Sequence, residues 1–272
     1  MIKSLTSLRL VCLLLLGSSV LAQQTKQKPP VQETKAAVKK KVKTKFFGKK
    51  PIPFINTALT LAGPINKIGR DGIQCDLPAT VSGKDGKALI SYLEWDGKTD
   101  RLILSREIKK GFQQVSGDVA KGVLHKPAIA IDGKGTAWIF WSETHGDTTV
   151  DLKARSWSAS KGFGSPLTLA DSDAAEAFVV AGTDSNGRVW ASWQSFRAGE
   201  ADIYARFLDP KSGKWSKEIA VATQQGGDWE PSIAFDQKGQ AWIVYDSSRG
   251  NEFNLNLARV NDQGQTREFA IA

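Results

Sequence analysis

GKGTAWIFW (133–141), NGRVWASW (186–193) and KGQAWIVY (238–245) are three copies of one pattern, and DGKALISY (85–92) is a weaker fourth. Their glycines, Gly86, Gly135, Gly187 and Gly239, follow one another at steps of 49, 52 and 52 residues. Three residues after each glycine stands Leu89, Trp138, Trp190 or Trp242, and three further on Tyr92, Trp141, Trp193 or Tyr245. Downstream, a short apolar segment carries an arginine each time: Arg106, Arg155, Arg206 and Arg259. A second glycine turn and a last strand such as SPLTLA (165–170) close the unit. Features that recur in phase at this spacing mark a repeat architecture rather than a single irregular core.

Each unit reads as four short strands joined by turns. The first strand is apolar (PAIAID, PSIAFD), and the turn after it supplies Asp, Asn and Gly, which tolerate left-handed geometry and bond local backbone. No stretch sustains a helical period. Four-stranded antiparallel sheets at this repeat length are blades of an all-β β-propeller. Residues three apart on a strand point to opposite faces, so Trp138 and Trp141 are expected to pack toward different neighbouring blades. Truncating Trp190 or Trp242 is therefore expected to destabilise severely. The units run at about 78–124, 127–175, 178–229 and 231–272, within a domain at 51–272. Residues 57–62 (TALTLA) resemble SPLTLA but have no blade of their own. That spare strand leaves a four-bladed ring, a chain cut before further blades, or two chains completing one ring, and the halt at a repeat boundary favours a ring that this chain completes only in part.

These units resemble those of sialidase-like propellers with BNR/Asp-box-type repeats and, more loosely, TolB-type propellers. The strict Asp-box has Asp two residues before its glycine, whereas Asp132, Asp184 and Asp236 stand three before theirs. The resemblance implies an architecture. A sialidase would further require an arginine cluster, a Tyr nucleophile with a Glu partner, and an Asp acid/base. The three tyrosines do not fit: Tyr92 and Tyr245 fill repeat positions, and Tyr204 lies in the arginine strand. The once-per-blade arginines suggest pairing with carboxylates between blades rather than a convergent trio.

Charge separates the chain into two parts. The 272 residues carry a formal net charge of +9, but residues 1–50 hold 12 Lys or Arg and one acid, leaving −2 for residues 51–272. The folded part thus has no general affinity for phosphate, and no nucleic-acid partner is expected for it. Lys3 and Arg9, the apolar run from Leu10 to Leu16, and the small residues ending at Ala22 read as a secretory signal peptide over 1–22. Export to a periplasm or the outside follows. Residues 23–50, with ten Lys and one Glu, read as a linker too polar to fold alone, whose Lys-rich stretch 26–50 could contact an anionic surface. Without Cys12 in the leader, Cys75 is the only cysteine, so no internal disulfide is available.

Loops between blades and loops between second and third strands share one face of a propeller. Here they supply Asp228, Trp229, Glu230, Arg197, Arg249, Asp246, His125 and Glu176, while the opposite turns carry Lys84, Lys134 and Lys238. An acidic mouth with an exposed Trp suits a carbohydrate, peptide or protein ligand. The two histidines, His125 and His145, offer no zinc spacing, and no phosphate-binding loop or nucleophile elbow is present. No cofactor or metal is expected, and no catalytic residue is assigned. The sequence thus predicts a non-enzymatic recognition module. A sialidase-like glycoside hydrolase and an envelope scaffold held by the basic tail are the alternatives, with oligomeric state undetermined.

Overall fold

The computed structural model describes residues 68–146, 149–250, 252–261 and 263–271. The leader, the Lys-rich segment and TALTLA lie outside the described residues. The described chain is all-β and forms four antiparallel sheets in succession. The first blade holds β1 (Gln74–Ser82), β2 (Ala88–Trp95) and β3 (Asp100–Ile108), edged by β4 (Gly111–Gln114) and β5 (Ala120–Gly122). The second holds β6 (Ala128–Ile131), β7 (Ala137–His145) and β8 (Thr149–Ser158), edged by β9 (Gly162–Phe163) and β10 (Leu167–Ala170). The third holds β11 (Glu176–Thr183), β12 (Val189–Ser195) and β13 (Asp202–Asp209), edged by β14 (Lys214–Trp215) and β15 (Ile219–Ala222). The fourth holds β16 (Asp228–Phe235), β17 (Ala241–Arg249), β18 (Glu252–Val260) and a single outer strand, β19 (Thr266–Ala270). The first blade begins at Gln74 rather than 78, because its opening residues are mostly polar and exposed and give no apolar alternation.

The inner hairpins explain the repeat glycine. Gly86, Gly135, Gly187 and Gly239 all sit at positive φ, between 74° and 88°, where a side chain would be strained. Each donates its N–H to the carbonyl three residues back at 2.9–3.0 Å, a three-residue loop closed by a left-handed glycine. The aspartate three residues before three of these glycines holds the same loop. Oδ1 of Asp132, Asp184 and Asp236 accepts two backbone N–H bonds, two and four residues on, at 2.8–3.0 Å. Oδ2 of Asp184 and of Asp236 also accepts the indole N–H of Trp190 (2.9 Å) and Trp242 (3.3 Å). One side chain therefore ties the turn to the tryptophan that follows it.

β1, β6, β11 and β16 run side by side in that order, so each is the innermost strand of its blade. Alternation then sends successive residues of β2, β7, β12 and β17 to the previous and the next blade. Trp141 packs with Leu89, Leu102 and Leu104 in the first seam, and Trp193 with Phe140, Leu152 and Leu169 in the second. Tyr245 packs with Trp190 and Ile203 in the third. Trp138, on the other face of β7 from Trp141, looks forward to the third blade and meets Trp215 edge-on at 5.5 Å. Among the described residues no core cluster joins the fourth blade to the first. Trp242 is accordingly only half-buried, which corrects the expectation that it matches Trp190, whose exposure is nil.

At the turn face each seam is also pinned through main-chain carbonyls. The Lys84 ammonium donates to the Gly133 carbonyl, Gly133 N–H to the Gly187 carbonyl (2.9 Å), and Ser185 Oγ to the Gln237 carbonyl (3.1 Å). Gly133 and Gly187 approach so closely that a Cβ on Gly187 would lie 2.7 Å from the Gly133 Cα. The outer arginines depart from expectation. Arg155 donates to the Asp118 and Val119 carbonyls (3.1 and 2.9 Å) and Arg206 to the Leu169 carbonyl (2.7 Å), each reaching the preceding blade. Arg106 binds Asp85 within its own blade, and Arg259 lies over the Trp242 ring. The seams are bridged to backbone carbonyls, not to carboxylates.

Candidate functional site

The two predicted loop sets meet on one face. Phe196 N–H donates to the Ala175 carbonyl, Asp228 N–H to Ala201, Ser248 N–H to Gly227 and His125 N–H to Ser142, at 2.7–3.0 Å. Several acids expected to line an open mouth are nevertheless buried and occupied. Glu176 is fully buried; it accepts from Trp193 Nε1 (2.6 Å), Ser172 Oγ (2.7 Å), Ser195 Oγ (3.0 Å) and Arg197 Nη2 (2.8 Å). Arg197 bridges on to Glu218. Burial opposes the charge of Arg197, but its bonds to Glu176 and Glu218 outweigh this and raise its pKa. Asp228, also fully buried, takes Nη2 of Arg249 on both oxygens at 3.0 Å. In the first blade Arg70 and Arg101 play the same part for buried Glu94 (2.8 and 3.5 Å), whose other oxygen is unpaired.

The other candidates scatter. Trp229 stacks on Phe253 (6.2 Å) on the outward side of the fourth blade, beside exposed Asp246, its cross-strand partner. His125 is half-buried and bonded through Nε2 to Thr144 Oγ1 at 2.8 Å; burial pushes its pKa down, so it is neutral at pH 7. Glu230 alone of the eight is both exposed and on an innermost strand, and its backbone is strained, with φ 49°.

That strain is repeated. Leu77 (φ 49°) and Phe178 (φ 55°) are the only other non-glycine residues at positive φ among those described. All three sit in the bulge of an inner strand: the register shifts between Asp76 and Ala79, between Ala177 and Val180, and between Trp229 and Ser232. Cross-strand register puts Lys126 at the same position in the second blade, since Ala128, opposite Phe140, matches Val180, opposite Ser192. Left-handed backbone costs about 1–2 kcal/mol at a residue with a Cβ, and such strain concentrates where function requires it. The loop-face ends of the four inner strands therefore present Leu77, Lys126, Phe178 and Glu230, an aliphatic, a cation, an aromatic and a carboxylate. Three of these were missed from the sequence. The signal was there: Pro78, Pro127 and Pro231 follow three of the four positions and keep the phase of the glycines, and proline within a strand belongs at a bulge or an edge.

Solved structures resemble the chain in fold. An intramolecular trans-sialidase from Ruminococcus gnavus, in complex with oseltamivir carboxylate, matches with a TM-score of 0.54 at 9% identity, over 73% of this chain and 71% of its own. A protein of unknown function from Dyadobacter fermentans gives 0.53 at 12% identity, over 72% and 68%. A GH93 α-L-arabinofuranosidase of Fusarium graminearum, in complex with arabinobiose, gives 0.50 at 13%, over 73% and 66%. What the chain shares with them is the β-propeller fold. No protein-family model and no curated relative matches the sequence. Among the described residues no group of three or more His, Cys, Asp and Glu could hold a metal ion.

Proposed function

We propose that the protein is an exported propeller that recognises a carbohydrate at the loop-face end of its inner strands without transforming it. The observation that carries this reading is the quartet Leu77, Lys126, Phe178 and Glu230, matched by register at the loop-face ends of four adjacent inner strands, three of them in strained backbone and Lys126 two residues before its strand. An aromatic face, a cation and a carboxylate around one axis suit the alternating apolar faces and hydroxyls of a sugar. Absence of turnover is supported by the state of the buried acids: Glu94, Glu176 and Asp228 are each buried and engaged by an arginine, out of reach of a ligand on the face. That an α-L-arabinofuranosidase with this fold holds arabinobiose supports the ligand class. The turn aspartates bound to Trp190 and Trp242 support descent from sialidase-like repeats. Export rests on the leader at 1–22, and contact with an anionic surface on the lysines of 26–50.

The test is a glycan array and a panel of chromogenic glycosides, run on the full protein and on Phe178→Ala and Glu230→Gln. Saturable binding lost in both variants, with unchanged melting and no hydrolysis, is the expected result. Turnover that disappears in Glu230→Gln would replace recognition with hydrolysis.

A further inference from the structure

One register position runs through all four blades on the side facing the next blade. It is Leu102 in the first, Leu152 in the second and Ile203 in the third, each wholly buried, and Leu255 in the fourth, 46% exposed. Around Leu255 lie Trp242, Val244, Leu257 and Phe269, with Ile271 53% exposed at the edge. The forward face of the fourth blade thus has the composition of a seam, and no described residue covers it. Contiguous apolar surface of this kind marks an interaction site.

We propose that this face binds the same face of a second copy of the chain, forming a two-fold dimer in which two fourth blades stack as a sandwich. Three observations select this occupant. A head-to-tail copy would need the rear face of the first blade, and that face is largely polar: Thr80, Ser82, Ser105 and Glu107 lie on it, the first two exposed. The forward face is also self-complementary in charge. Asp246 stands toward one end of the strands, and Arg259 and Arg267 at the other. A two-fold axis through the apolar middle sets the acidic end of each copy against the basic end of its partner, the isologous arrangement that closes on itself. Finally, the size fits. Four strands about 4.8 Å apart and about 9 residues long at about 3.4 Å cover roughly 500 Å² in plan. The accessible surface of such a corrugated face is larger and approaches the ~800 Å² per partner of a stable interface. Sheets of this kind stack about 10 Å apart with strands within about 30° of alignment.

Sedimentation of the full chain tests this. The wild type is expected to sediment at twice the chain mass, and Leu255→Arg at the chain mass, melting at the temperature of the wild type diluted to a monomer. Asp246→Arg and Arg267→Glu should each weaken self-association at least tenfold, while an equimolar mixture of the two forms a heterodimer. A wild type that stays monomeric up to about 100 µM, well above the micromolar range of weak specific contacts, overturns the proposal. So does a dimer that Leu255→Arg leaves intact, or one whose charge variants do not recombine. A monomer whose melting temperature falls in Leu255→Arg assigns the face to a segment of the same chain and equally removes the second copy.

Discussion

Trp190 and Trp242 occupy the same place in successive blades, yet their replacement by alanine should have very different effects. Trp190 has no exposed surface; its ring lies 4.7 Å from Phe207 and 6.2 Å from Phe235, and its N–H bonds Asp184 at 2.9 Å. A buried Trp removes about 150–250 Å² from water, which at about 25 cal/mol per Å² amounts to roughly 4–6 kcal/mol. Alanine retains a little of that, and partial collapse of the cavity brings the expected loss to about 4 kcal/mol, within the usual range for such truncations. Among the described residues Trp242 has a single ring neighbour, Phe269 at 6.2 Å, and a longer bond to its aspartate, 3.3 Å. Half the burial and a weaker bond put its loss at about 1–2 kcal/mol. For a domain of about 200 residues each kcal/mol moves the melting temperature by about 2–4 °C, so Trp190→Ala should fall by about 10 °C and Trp242→Ala by less than half of that. Urea and thermal melts in a Leu255→Arg background, where association cannot add to the Trp242 value, provide the comparison. Equal losses at the two positions would refute the assignment of Trp190 to a seam and of Trp242 to an open face.

Asp184→Ala removes two turn bonds, the Arg188 ion pair and the Trp190 bond from a buried site, and should cost about 3 kcal/mol. Asp85→Ala, at an exposed turn, should lie within about 0.5 kcal/mol of the parent in the same melts. Glu230→Gly relieves left-handed backbone at an exposed position, so the melting temperature should rise by the equivalent of about 1 kcal/mol while glycan binding is lost; a drop in stability would remove strain from the description of the site. Burial, and then the charges of Asp228 and Glu200, raise the carboxyl of Asp202 above 3.8. A folded-state pKa above the unfolded one stabilises below the unfolded value and loses that contribution as pH rises through the folded value. Asp202→Asn should therefore gain stability over the parent at about pH 8, with the gain shrinking toward pH 4; a gain independent of pH would exclude this cause.

The sequence displayed the blades because their hairpins repeat one chemistry: a left-handed glycine, an aspartate that binds the turn, and aromatic residues three apart that must face different neighbours. The same periodicity located the loop face. It misled at Glu176 and Asp228, which read as open-mouth carboxylates but are sealed by Arg197 and Arg249. Each partner lies 21 residues downstream, across the first hairpin, so the pairing becomes visible only once the strands are in register. Arg155 and Arg206 were assigned to carboxylates, but a backbone carbonyl leaves no mark in a sequence, and that is what they bind. The quartet escaped for a different reason. In the sequence Pro127 and Pro231 merely open PAIAID and PSIAFD, whereas Pro78 and Pro231 attend the bulges that set Leu77 and Glu230 in place and Pro127 keeps the same position beside Lys126.

The contact between Gly133 and Gly187 has a mechanical meaning. There Gly133 and Gly187 meet main chain to main chain, with a 2.9 Å hydrogen bond, and Thr183 Oγ1 donates to the Ile131 carbonyl beside them at 2.6 Å. Their separation there cannot change without breaking backbone contact, so the turn end behaves as a pivot. Any widening or narrowing at the far rim must come from tilting of blades about it, which converts a small rotation at the glycines into the largest displacement where Phe178 and its counterparts stand.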